Sequence, residues 1–132
     1  MKPTDQVLLF HAMRLAASVD GRINDEETAL VHGTLAVLPD FEDLDVDALQ
    51  AGSDALVEEF GGLLESAEAL TRLKPMASRR KAYLLALEMA HASAGVLSIE
   101  RTLLSMLRKL LRLDARVAKQ MDTVVGWKFA GR

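Results

Sequence analysis

The sequence predicts an all-α fold: a single-domain bundle of about six to seven helices containing two pseudo-symmetric helical hairpins. Three observations predict it. Apolar residues recur at three- and four-residue spacing along most of the chain, as in helices with one buried face. No segment sustains the period-two alternation of a half-buried strand. Residues 16–30 also align without a gap on residues 90–104. The alignment pairs Ala16 with Ala90, Gly21 with Gly95, Ile23 with Leu97, Asn24 with Ser98, Glu26 with Glu100, Thr28 with Thr102 and Leu30 with Leu104. Each copy reads as a helix end, a glycine turn and the capped start of a second helix.

The elements follow in order. Val7, Leu8, Ala12, Leu15, Ala16 and Val19 place a first helix over 4–19, which Gly21 ends. Asn24 caps the next helix with Glu27 three residues on, and Leu30, Leu35, Val37 and Leu38 give it an apolar face as far as Pro39. Residues 39–53 read as an acidic connector, exposed and solubilising, in which Asp45 starts a single helical turn. Ser53 is expected to cap a helix to about Phe60, and Gly61-Gly62 to interrupt it before Leu63–Leu73. A long helix is predicted over 77–93. Gly95 ends it, and Ser98 caps a helix whose buried face is Ile99, Leu103, Leu107, Leu110 and Leu111. A last helix over 115–128 carries Val117, Met121, Val124, Val125 and Trp127. Ala16 and Ala90 hold matching small-residue positions where two helix backbones can approach closely.

Length and composition narrow the function. The chain has 132 residues, half of them apolar, which suits one domain with its own core. With no cysteine, disulfides, thiolate zinc sites and thiol nucleophiles are excluded. Asp5, His11, Arg14 and Asp20 interrupt the first twenty residues, so a signal-peptide centre is not expected there. No stretch reaches the roughly 18–20 uncharged residues of a membrane span. The expected location is cytoplasmic. Residues 1–66 hold 14 acidic and 3 basic side chains, whereas residues 67–132 hold 5 acidic and 13 basic. Halves that pack together and neutralise one another explain this better than a basic binding face weakened by its acidic neighbour.

The motifs with chemical potential are few. Asp20-Gly21-Arg22-Ile23-Asn24, closed by Glu27, matches the second half of an EF-hand loop. The first half fails, because Ala16 and Ser18 stand where its leading carboxylates belong. Asp20, Asn24 and Glu27 are therefore the candidate metal ligands for a weak Ca or Mg site completed by water. The competing reading is purely local: Asp20 in an Asx-type turn, Gly21 left-handed, Asn24 and Glu27 capping a helix. His11, His32 and His91 form no His-x-x-x-His pair, and a lone histidine on such a helix is usually a hydrogen-bonded core or boundary residue. Neither a Gly-x-Ser-x-Gly elbow nor a phosphate-cradling glycine loop is present, and an enzyme is not expected. Basic residues concentrate in Arg79-Arg80-Lys81 and along Arg108, Lys109, Arg112, Arg116 and Lys119. They support an alternative function, binding of nucleic acid or an anionic membrane surface, although aromatic residues are too sparse for a base-stacking platform.

The string Ala-Ala-Ser-Val-Asp-Gly-Arg-Ile-Asn-Asp-Glu-Glu at 16–27, repeated loosely around Gly95 and Glu100, resembles the signature of TerB-like tellurite-resistance proteins. The same helical domain occurs in the N-terminal region of DjlA-type co-chaperones, whose J-domain His-Pro-Asp tripeptide this chain lacks. The resemblance spans nearly the whole of 1–132. It implies an all-α bundle, an acidic metal-binding cluster and a place in a membrane-associated stress-response apparatus, peripheral to the inner membrane. Asp20, Glu26 and Glu27 match the acidic positions of the first motif and Glu100 matches one in the second. Ala94 stands opposite Asp20 and Arg101 opposite Glu27, so the acidic site is one-sided. The expected function is a non-catalytic interaction module in stress or metalloid resistance. Its expected partner-binding residues are Asp20, Asp25, Glu26, Glu27, Glu100, Arg108, Arg112 and Arg116, with other proteins as partners. Trp127 hints at a homo-oligomer.

Overall fold

A computed structural model describes residues 2–18, 25–43, 45–92 and 98–130, without the side chains of residues 25–27. Six α-helices run through them: α1 (Pro3–Ser18), α2 (Asp25–Val37), α3 (Val46–Phe60), α4 (Met76–Ala92), α5 (Ser98–Leu110) and α6 (Ala115–Phe129). Two 3₁₀ segments, Pro39–Phe41 and Glu65–Arg72, complete the order, and no strand occurs among the described residues. The protein is an all-α bundle.

α1 and α4 are the axis of the bundle. Each is buried on nearly every side: Leu9, Ala12, Met13, Ala16 and Ala17 on α1, and Ala82, Ala86, Leu87, Met89 and Ala90 on α4. Their mutual packing is the most extensive in the molecule. Alternation of alanine with leucine and methionine lets the two backbones come close while larger side chains fill the space beside them. α2 packs on α4, and α5 packs on α4 and less extensively on α1. Gly21 and Gly95, the turns themselves, lie outside the described residues. α3 covers α1, the 3₁₀ segment Glu65–Arg72 packs on α3 and α5, and α6 packs on α4.

The connector is more structured than its composition suggests. Phe41 is buried, Gln6 Nε2 donates to the Asp40 carbonyl at 2.7 Å, and Lys81 Nζ pairs with Asp40 Oδ1 at 2.7 Å. Asp45 starts no isolated turn. It caps all of α3, its carboxylate accepting from the Asp47 and Ala48 amides at 3.0 and 3.3 Å. Gly52-Ser53, read as the break before a new helix, lies inside α3. Glycine is needed at 52 because α1 approaches there: a Cβ on Gly52 would meet Val7 Cγ2 at 2.8 Å. Ser53 caps nothing and is buried.

Gly61 ends α3 in the left-handed region, φ 80°, where its N–H bonds the Glu58 carbonyl and that of Gly62 bonds Val57. α5 ends the same way without glycine: Arg112 takes φ 55°, and the Arg112 and Leu113 amides bond the Lys109 and Arg108 carbonyls. Two residues assigned to buried faces are on the surface, Val37 at 77% and Ile99 at 49% exposure. Among the described residues, Asp40–Lys81 and Glu59–Arg72 join the acidic and basic halves, while Arg14–Asp54 and the His91–Asp122–Arg101 group lie within one half. No helix among the described residues is long and apolar enough to cross a membrane.

Candidate partner-binding site

The acidic turn expected to hold a cation or a partner falls at a helix start. Asp25, Glu26 and Glu27 open α2, but Asp20, Asn24 and the side chains of Asp25, Glu26 and Glu27 lie outside the described residues. Among the described residues no group of three His, Asp or Glu side chains converges as a metal site would require. Glu100, in the first turn of α5, is buried at 3% exposure and offers no surface to a partner. The basic residues divide. Arg108 is half-buried and donates to the Leu113 carbonyl at 3.1 Å, stapling the α5–α6 corner, whereas Arg112 and Arg116 are exposed.

The structure brings together a polar group that sequence spacing did not connect. His11 is fully buried in the middle of α1, with Nδ1 2.6 Å from Ser53 Oγ and Nε2 2.7 Å from Ser66 Oγ. The Ser66 hydroxyl donates to the Leu63 carbonyl, which can only accept. Ser66 therefore accepts from His11 Nε2–H, and the neutral ring takes the Ser53 hydroxyl proton at Nδ1. Ser53 Oγ in turn accepts from Arg14 Nη1 at 3.0 Å, and the same Nη1 pairs with Asp54 Oδ1 at 2.8 Å. One directed chain of donors thus runs from Arg14 through Ser53, His11 and Ser66 to Leu63. Burial, with the nearby Arg14 charge adding to it, pushes the His11 pKa down to about 4. A histidine between two serines invites comparison with a nucleophile and its base. Here His11, Ser53 and Ser66 are all buried and both hydroxyl protons are committed, so no substrate reaches them.

Leu63, at the end of this relay, is also the meeting point of two grooves. One, of about 420 Å³, lies between α1, α2 and α3 and is lined by Phe10, Met13, Val31, Leu35 and Leu63, with Arg14, His32 and Gln50 among its polar groups. The other, of about 250 Å³, is lined by Leu15, Leu63, Leu64, Ile99, Leu103 and Met106, with Ser18 and Thr102 supplying its hydroxyls. Ser18 and Leu63 line both, so the two grooves adjoin across the end of α1 as a trough in two parts. Leu64 and Ile99 stand on its edge, 53% and 49% exposed.

Sequence reasoning missed this surface because periodicity assigns a residue to a helix face without saying what covers that face. The sequence placed Leu63-Leu64 at the start of a resumed segment, Leu63–Leu73, which gave no sign that Leu64 stays at the surface. Comparison of the chain with protein-family models, with curated proteins and with solved structures gives no match.

Proposed function

We propose that the chain is a non-catalytic helical interaction module of the TerB-like kind, acting in stress or metalloid resistance by holding a partner protein in the trough beside Leu63. The observation that carries the reading is the pair of apolar grooves that adjoin at Ser18 and Leu63, with Leu64 and Ile99 exposed on their edge. Supporting it, the His11–Ser53–Ser66 group is sealed in the core and ends on the carbonyl of Leu63, which lines the trough. A photo-crosslinking residue placed at Leu64 or Ile99 in the native organism should give a discrete adduct that the same residue at Val37 or Trp127 does not. Equal adducts at all four positions, or none at the trough, defeat the reading. A weak Ca or Mg site at Asp20, Asn24 and Glu27 belongs to the same proposal. Millimolar cation should then raise the melting temperature of the native chain and not of an Asp20→Ala variant.

The alternative, a basic face for nucleic acid or anionic membrane, is favoured by the exposure of Arg112 and Arg116 at the α5–α6 corner. It ranks second because neighbouring cations already have internal work. Arg79 donates to the Leu111 carbonyl, Arg108 to that of Leu113, and Arg101 to Asp122. Steep loss of binding with salt, reduced by Arg112→Ala and Arg116→Ala, is its expected mark.

A further inference from the structure

We infer that the fold carries an acid-operated latch: protonation of His11 releases residues 63–73 from α1 and withdraws the wall that the two grooves share. The device works whatever the grooves hold. Hinge points flank the stretch on both sides. Gly61, at φ 80°, and Gly62 precede it, and Lys74-Pro75 follows it. Between them Glu65–Arg72 is 3₁₀ rather than α, a form with poorer hydrogen-bond geometry. This segment packs on α1, α3 and α5. Its polar entry into the core is Ser66, fully buried with Oγ 2.7 Å from His11 Nε2.

The partners of the ring leave no place for a second proton. Neutral His11 donates from Nε2 to Ser66 and accepts the Ser53 proton at Nδ1, whereas an imidazolium donates from both nitrogens. Ser53 Oγ would then accept from His11 Nδ1–H and Arg14 Nη1 together, two cationic donors on one hydroxyl. Its own proton would lose the ring as acceptor. Ser66 offers no relief, because its proton is held by the Leu63 carbonyl. Arg14 is the charge that acts on the ring, and Asp54 of α3 is turned to Arg14. α4 carries Tyr83 and His91, both close to Asp122, and α5 carries the buried Glu100; none of them acts on His11. On the stretch itself Glu65 and Glu68 are exposed, and Arg72 pairs with Glu59. His32 of α2 lines the first groove and is exposed. A charged ring therefore needs water, and water reaches this buried site only when a neighbour leaves. α3 is a capped helix held to α1 by Arg14–Asp54 and by the Gly52–Val7 contact. The hinged 3₁₀ segment is the neighbour that can go.

The closed ring takes its proton near pH 4 and a solvated ring near 6.5, so closure is firmest above 6.5 and weakens as the pH falls. Between pH 7.5 and 5.0 the released population should rise roughly thirty-fold. Hydrogen exchange of the full chain, followed by mass spectrometry at both pH values and corrected for intrinsic amide rates, reads that change. Amides of residues 63–73 should lose protection by about that factor while those of α4 keep theirs. His11→Gln keeps a donor and an acceptor but does not titrate, and should abolish the change. Arg14→Gln, at a side chain already 25% exposed, removes the competing cation and should make the change smaller. That second variant decides the matter if the first does not fold. Equal loss of protection in α4 and in residues 63–73 means that the whole chain unfolds, and overturns the latch. So does constant protection of residues 63–73, a loss that survives His11→Gln, or a loss undiminished in Arg14→Gln.

Discussion

His11 makes the stability of this protein depend on pH. Its pKa lies near 4 in the fold, against about 6.5 for a free histidine, because the ring is buried between two hydroxyls with Arg14 close by. Between those values the unfolded chain takes up a proton that the folded chain refuses. Stability that is complete above pH 6.5 is therefore lost as the pH falls toward 4, by about 3 kcal/mol over the window. Urea unfolding at pH 7.5 and 5.0 measures it. His11→Leu should lose about 2–3 kcal/mol at pH 7.5, since two buried hydroxyls are left without their ring partner, and should show a flatter slope between the two pH values. Arg112 is a second residue with a definite cost. It holds φ 55° in a helix-ending position that suits glycine. Arg112→Gly should raise the unfolding midpoint by an amount equivalent to about 1 kcal/mol. That a lone histidine would be hydrogen-bonded in the core was legible from its setting on an apolar helix. Its partners were not, because Ser53 and Ser66 lie 42 and 55 residues away and only the tertiary fold brings them to the ring.

Helix ends were more legible than helix environments. The first, fourth and sixth helices start within a residue of the predicted 4, 77 and 115, and the sixth ends within a residue of 128, because proline and short polar caps act locally, while the predicted ends at 19 and 93 lie outside the described residues. α3 was misread because Gly52-Ser53 carries a turn signal that packing overrides. A glycine facing Val7 serves the α1–α3 contact, and a serine facing His11 serves the relay. Two substitutions separate these roles. Asp45→Ala removes the side-chain acceptor for two amides and should cost about 1 kcal/mol. Gly52→Val should cost about 1–3 kcal/mol despite its better helix propensity, because the added methyls have no room beside Val7. Thermal unfolding of the two variants distinguishes a frayed helix from a forced contact. The exposed Ile99 and Val37 show the same limit, since a helical stripe identifies a face and the neighbouring elements decide whether it is covered.

At the scale of the molecule, the close pairing of α1 with α4 holds the two hairpins together. Ala86 and Ala90 of α4 are fully buried. Ala86→Leu should destabilise the protein by about 1–3 kcal/mol, measured by urea unfolding, because two central helices must separate to admit the larger side chain. The division of charge along the sequence is only partly closed by packing: Asp40–Lys81 and Glu59–Arg72 bridge the halves, while Lys109, Arg112 and Arg116 stay at the surface. The repeat made the hairpins legible, but the trough forms where α1, α5 and Leu63-Leu64 meet, across elements distant in sequence. That meeting has a spectroscopic consequence. Arg14 can only give protons and the Leu63 carbonyl can only receive them, so the imidazole is locked in one tautomer. Its Nε2 proton, shielded from solvent, should resonate far downfield and exchange slowly. Because Leu63 belongs to the groove wall, that single signal reports from inside the core when a guest arrives outside it.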